Sequence, residues 1–157
     1  MLFTGHSEHP IDAKGRLAVP ARYRNAWDQA TDGPCWVCMP WPGATEIGTL
    51  RLYTFNTFSA LSSKYGNSLT PGEDEGELEL TLFSLAVQLE MDNEGRVALP
   101  KRHLEMSGVG RDVVVVGVRN RLEVHAKSAW NAREMERFRR LPSLIERIER
   151  KHAGESA

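Results

Sequence analysis

The chain has 157 residues, a length that fits one ordinary domain or two small ones and excludes a large multidomain enzyme. With 41% hydrophobic and 26% charged residues it can build a folded, soluble core, while a formal net charge of -1 excludes the global basic excess that advertises many nucleic-acid binders. Two cysteines cannot form a disulfide framework, Met1 to His6 lacks the basic and apolar regions of a secretory leader, and no apolar run approaches the ~20 residues that span a bilayer. The expected compartment is the reducing cytoplasm.

In chain order, the first patterned stretch is Asp12-Ala13-Lys14-Gly15-Arg16-Leu17-Ala18-Val19-Pro20. Asp12 accepts hydrogen bonds from amides two or three residues on and closes a tight turn, for which Gly15 supplies the positive φ. Arg16 opens a short strand in which Leu17 and Val19 alternate with slim Ala18. Pro20 stops that strand and suits the start of a helix carrying Arg22 and Arg24. Cys35 to Met39 and Thr49 to Tyr53 then read as strands, joined through Gly43 and Gly48. Phe55 to Tyr65 predicts a helix, Asn67 to Gly76 a Gly/Pro/acidic loop, and the alternation of Glu77-Leu78-Glu79-Leu80-Thr81-Leu82 an amphipathic strand.

At position 92 the first pattern returns as Asp92-Asn93-Glu94-Gly95-Arg96-Val97-Ala98-Leu99-Pro100, 80 residues after its first appearance at position 12, and is followed by Lys101-Arg102-His103-Leu104. Asp112 to Gly117 reads as a buried strand, and Arg121 to His125 pairs with it across the Arg119-Asn120 turn. Ser128 caps a helix through Trp130, Arg133, Met135 and Phe138 that breaks at Pro142; Ser143 to Glu146 opens a last short helix ending near Gly154. Each half is thus strand, strand, short helix, strand, strand. About 45 residues cannot hold an independent core, so the halves pack on each other or on another chain.

These residues resemble the MraZ family of bacterial regulators, whose chains carry two tandem SpoVT-AbrB-like units, each built around Asp-x-x-x-Arg. The likeness begins at Phe3-Thr4-Gly5, runs from Asp12 to Arg24, and resumes from Met91 to Arg96 and through Val113 to Asn120 with Leu122-Glu123-Val124. The resemblance implies an α+β, mostly β fold. It has two tandem swapped-hairpin units packed as a pseudo-dimeric barrel, at 1–57 and 84–127, with a linker helix and acidic loop at 58–83 and a C-terminal helical tail at 128–157. It also implies a ring-shaped homo-oligomer and sequence-specific binding to direct repeats in double-stranded promoter DNA of the operon for cell division and cell-wall synthesis that contains the protein's own gene. Such a protein is cytoplasmic and nucleoid-associated, works without a cofactor or metal, and takes no membrane or small-molecule substrate. The chain departs from the family in its acidic Glu73 to Glu79 segment, which is not expected to touch phosphate, and at His125, where relatives often carry an aromatic.

The expected DNA-contacting residues are Arg16 and Arg96. An arginine at a strand start beside a tight turn is rigidly based, and its planar fork suits a guanine edge or a phosphate. The residues alone allow another reading, in which each arginine only pairs with its own motif aspartate to lock the turn. Lys14 stands at the first turn's apex where the second has Glu94, so the first loop is expected to be the stronger phosphate binder. Arg22, Arg24, Lys101 and Arg102 are expected to add contacts to the DNA backbone. Asp12, Gly15, Asp92 and Gly95 shape the turns.

Other chemistries fit less well. Cys35-x-x-Cys38 with His6-x-x-His9 has the ligand types for zinc but not the usual spacing, and thiols three apart in a strand face opposite sides, so buried thiols are expected. Gly108-Val109-Gly110 is followed by a strand where a dinucleotide fingerprint needs a helix, and no P-loop, nucleophile elbow or metalloprotease pair occurs. His103 and His125 show no evident nucleophile partner in the sequence, so satisfied or solvent-facing histidines are expected. The expected function is transcription regulation rather than catalysis. The alternative is a protein-binding scaffold or antitoxin-like module acting through its C-terminal helices, with Trp130, Phe138 and Ile148 in contact with the partner.

Overall fold

The computed structural model describes residues 1–156, in two compact units, Met1–Lys127 and the segment from Ser128 onward. The first holds β1 (His6–Pro10), β2 (Arg16–Ala18), α1 (Ala21–Ala26), α2 (Gln29–Asp32), β3 (Trp36–Trp41), β4 (Thr49–Thr54) and α3 (Phe55–Ser62). It continues with α4 (Glu73–Leu85), β5 (Val87–Leu89), β6 (Arg96–Ala98), α5 (Lys101–Ser107), β7 (Asp112–Gly117) and β8 (Leu122–Ala126). From Lys127 to Ser156 the chain is one helix, α6.

Six strands form an antiparallel sheet in the order β1-β7-β8-β4-β3-β5, and β2 pairs with β6 in a separate two-stranded ribbon. The hairpins β3–β4 and β7–β8 meet along β4 and β8, where Leu50 faces Val124 and Leu52 faces Leu122. Each hairpin is then extended by the leading strand of the opposite half. His6 to Pro10 of β1 run against Val116 to Asp112, and Val87 to Leu89 of β5 against Cys38 to Trp36. The sheet is open, with β1 and β5 as its edges, so the expectation of a barrel is not met by a closed sheet. The exposed edge β1 is polar, as an unpaired edge should be.

Burial follows the sequence pattern. In β4 and β8 alternate residues are buried, among them Leu50, Leu52, Leu122 and Val124, while Val113 to Val116 of β7 and Trp36 to Met39 of β3 are buried on both faces. Leu17 and Val97, paired across the ribbon, are also within the core. Rings of Tyr23, Phe3, Trp36 and Trp27 follow one another, each tilted to the next, at centroid separations of 4.9, 5.9 and 4.9 Å.

Two readings of the sequence are corrected. Glu73–Leu85, expected as loop and strand, is the helix α4. The Glu75 carboxylate accepts from the Gly72 N–H at 2.7 Å, three acidic residues occupy the first turn where the helix dipole favours them, and Glu and Leu are good helix formers. Phe83 meets Phe58 of α3 edge-on at 6.1 Å. The C-terminal segment, expected as two helices split at Pro142, is a single helix of 30 residues with Pro142 inside it. The ion pairs Arg133–Glu136, Arg140–Glu136 and Arg150–Glu146 lie along it. With these two changes the fold is a mixed α+β structure in which helices hold more residues than strands, rather than mostly β.

Candidate nucleic-acid interface

The repeated motif forms the same turn twice. In the first, the Asp12 carboxylate accepts from the Lys14 N–H at 2.9 Å, the Arg16 N–H at 2.8 Å and Arg16 Nε at 2.7 Å, while the Gly15 N–H donates to the Asp12 carbonyl at 2.9 Å. In the second, Asp92 accepts from the Glu94 N–H, the Arg96 N–H and Arg96 Nε, each at 2.9 Å, and the Gly95 N–H donates to the Asp92 carbonyl at 3.0 Å. Gly15 and Gly95 sit at φ of 78° and 76°, the left-handed region that glycine enters freely. Asp12 and Asp92 are both held below the ordinary carboxylate range, first by the N–H of their own arginine.

The turns are tied to each other. The Val19 N–H donates to the Gly95 carbonyl at 3.0 Å and the Leu99 N–H to the Gly15 carbonyl at 2.9 Å, so each turn is bonded to the strand that leaves the other. In the β2–β6 ribbon Arg16 stands opposite Ala98, and Ala18 opposite Arg96. Because side chains alternate, Leu17 and Val97 enter the core and Arg16, Ala18, Arg96 and Ala98 share the outward face. The structure thus brings the two arginines together on one surface, two residues or about 7 Å apart along the ribbon, with only methyl groups between them.

The aspartates hold each arginine by Nε, which fixes the base of the fork. For Arg16 this leaves Nη1 and Nη2 without a hydrogen-bond partner among the described residues. For Arg96, Nη2 also lies 3.5 Å from Glu94 Oε2. Aspartate pairing and an outward-facing fork are therefore compatible at Arg16, where the sequence had posed them as alternatives.

The remaining basic residues divide. Lys14, Lys101 and Arg102 are exposed. Arg22 donates through Nη2 to the Thr4 carbonyl and lies over the Tyr23 ring, 4.6 Å from its centroid. Arg24 donates through Nη1 to the Glu94 carbonyl at 2.6 Å and covers Gly95 so closely that a Cβ there would lie 2.1 Å from Arg24 Cδ. Arg24 therefore clamps the second turn, a role missed from the sequence. The 80-residue repeat was the available signal: Leu104, its equivalent, lies against the Cβ position of Gly15 at 3.5 Å.

The cysteines are buried. Cys38 Sγ is 3.3 Å from His103 Nδ1, and burial pushes its thiol up to about 12. Cys35 Sγ approaches Gln88 Oε1 at 3.8 Å, whereas His9 Nε2 meets Ser7 Oγ at 2.7 Å. His125 Nε2 is 2.9 Å from Glu123 Oε1, and Glu123 is lowered to about 2, its burial outweighed by His125 and Arg121.

Comparison with known proteins gives this geometry a family. A family model described as "MraZ protein, putative antitoxin-like" matches residues 82–143. A protein of Pseudomonas savastanoi pv. phaseolicola named "Transcriptional regulator MraZ" is 32% identical over 131 residues, 83% of this chain and 84% of the relative. The chain belongs to the MraZ family. MraZ proteins of the same printed name come from Coxiella burnetii, 32% identical over 85% of this chain and 86% of theirs, and from Thermomicrobium roseum, 29% identical over 94% and 97%, the latter a match long enough to include both turns. The name these MraZ relatives carry describes a regulatory role and not an enzymatic one. No helix of the described residues is long and apolar enough to cross a membrane.

Proposed function

We propose that the chain is a sequence-specific, double-stranded DNA-binding transcriptional regulator whose reading surface is the outward face of the β2–β6 ribbon. One observation carries this: Arg16 is anchored at Nε by Asp12 while its two terminal nitrogens have no hydrogen-bond partner among the described residues, on a ribbon face that also exposes Ala18 and Ala98. A two-stranded ribbon fits the major groove, and a guanidinium fork held at its base meets guanine O6 and N7 at little entropic cost. The regulatory name of the relatives supports the same reading. Arg16 is the main reader and Arg96 its support. Lys14, Lys101 and Arg102 contact phosphates, and Arg22 and Arg24 add to that positive field from the carbonyls they hold.

The finer parts of the proposal are a target made of repeated boxes in the promoter of the protein's own cell-division and cell-wall operon, and action as a ring-shaped homo-oligomer, in the cytoplasm on the nucleoid. Repetition of one small ribbon face around a ring would sum modest contacts through avidity, which reconciles binding with a near-neutral chain. The strand exchange supports reading 1–57 and 84–127 as two SpoVT-AbrB-like swapped-hairpin units, joined by 58–83 and followed by the tail 128–157.

The test is fluorescence anisotropy of a labelled duplex from immediately upstream of the gene, against a scrambled duplex, with salt varied. Arg16→Ala is expected to weaken binding to the upstream duplex by about 10- to 100-fold while barely changing the scrambled one. Equal binding of both duplexes by the unaltered protein at every salt concentration would overturn the reading.

A further inference from the structure

The two turns share their backbone, hydrogen bonds and anchored arginine but differ in sign at the apex. The first turn carries Lys14 and Arg16 against Asp12; the second carries Arg96 alone against Asp92 and Glu94. Glu94 is 72% exposed, and its Oε2 lies 3.5 Å from the terminal nitrogen of Arg96. Its backbone is held in place, because its carbonyl accepts from Arg24 at 2.6 Å and its N–H donates to Asp92 at 2.9 Å. The acid is presented on a rigid turn, beside the arginine that faces the same surface as Arg16.

We infer that Glu94 is a specificity-determining residue, which makes the second turn discriminate between DNA sequences where the first turn supplies affinity. This rests on the DNA-reading function proposed above. A carboxylate beside a phosphate is repelled, so the second turn gains nothing from the DNA backbone that every sequence offers. The same carboxylate accepts a hydrogen bond from the N4 amino group of a cytosine in the major groove. Where that donor is present, Glu94 turns to it and Arg96 Nη2 is released to a neighbouring guanine. Where it is absent, Glu94 keeps hold of Arg96 and its own charge opposes approach. Discrimination thus includes a repulsive element against wrong sequences as well as an attractive one for the right sequence. The matched position in the first turn, Lys14, has no such selectivity.

The experiment uses the full-length protein with the upstream and scrambled duplexes, comparing Glu94→Lys, Glu94→Gln and Lys14→Glu. Glu94→Lys is expected to tighten scrambled-duplex binding about tenfold and steepen its salt dependence by about one to two phosphates per chain. The ratio of upstream to scrambled affinity should then fall at least about fivefold. Glu94→Gln, which keeps an acceptor but loses the charge, should lower the ratio by less. Lys14→Glu should weaken both duplexes alike. Tightening of both duplexes by the same factor in Glu94→Lys would show the acid to be an indifferent surface charge and overturn the inference while leaving DNA reading intact. If the unaltered protein shows no preference for the upstream duplex, DNA reading itself fails and the inference falls with it.

Discussion

Tyr23 in α1 and His103 in α5 stand 80 residues apart at equivalent places in the two halves, and both reach inward to a backbone carbonyl near the leading strand of their own half. Tyr23 is 5% exposed, and its hydroxyl donates to the Thr4 carbonyl and accepts from the Thr4 N–H at 3.1 Å. His103 is 2% exposed, with Nε2 2.7 Å from the Leu85 carbonyl and Nδ1 3.3 Å from Cys38 Sγ. A carbonyl only accepts, so Nε2 carries the proton and Nδ1 is left to accept from the Cys38 thiol. The halves therefore use one locking position with two chemistries. Burial holds the His103 imidazole below the ordinary histidine range.

The most disruptive way to break this comparison is His103→Ala, which leaves a cavity and an unpaired carbonyl. It should cost about 2–4 kcal/mol, read from urea denaturation followed by circular dichroism. A pH series sharpens the same contrast. Burial lowers the pKa of His103 in the folded state, against the opposing effect of Leu85, so the unfolded chain takes up the proton first. The stability due to neutral His103 is complete above the ordinary histidine value of 6.5 and is lost as pH falls from there through the lower folded pKa. His9, also lowered by burial, acts in the same direction. The difference between the parent and His103→Gln isolates the α5 contribution, and a stability difference independent of pH between 7.5 and 5 would refute it.

Next in size are the turn glycines. Gly15→Ala and Gly95→Ala should each cost about 1–2 kcal/mol, because both positions require positive φ. Gly95→Ala should be the worse of the two, since its Cβ evicts Arg24 from the Glu94 carbonyl, whereas Gly15→Ala only crowds the Leu99 carbonyl at 3.3 Å. The smallest expected effect is Tyr23→Phe, about 1 kcal/mol for the hydroxyl's bonds to Thr4, read from the same urea denaturation.

Both turns were legible in the sequence because their chemistry is local. Asp12 and Asp92 bond to amides within four residues, and Gly15 and Gly95 meet a backbone requirement that few other residues satisfy. The hairpins were legible for the same reason, since their strands are rich in β-branched and alternating apolar residues. The α4 segment was not, because a six-residue Glu/Leu alternation fits period two as well as an exposed helix, and it is the capping by Glu75 and the meeting of Phe83 with Phe58 that decide it. Pro142 misled because a proline is weighed as a breaker, although a helix of 30 residues can lose one internal bond and continue. Within the candidate site, Arg16 and Arg96 were legible as motif residues. The clamp by Arg24 was not, because it joins positions 70 residues apart.

The exchange of leading strands also dictates how the chain can be made. As it is synthesised from the N-terminus, β1 emerges first and has no partner until Asp112 to Val116 have followed more than a hundred residues later. The β3–β4 hairpin can close early, but its outer neighbour β5 arrives only with the second half. Such sequence-distant pairing delays the contacts that reward loop closure, so folding should be slow beside that of a helical protein of similar length. It also makes completion of the second half a condition for the first: a ribosome stalled before β6 holds a chain in which neither β1 nor β2 has met its partner, so the stalled product exposes unpaired strands and has no assembled ribbon.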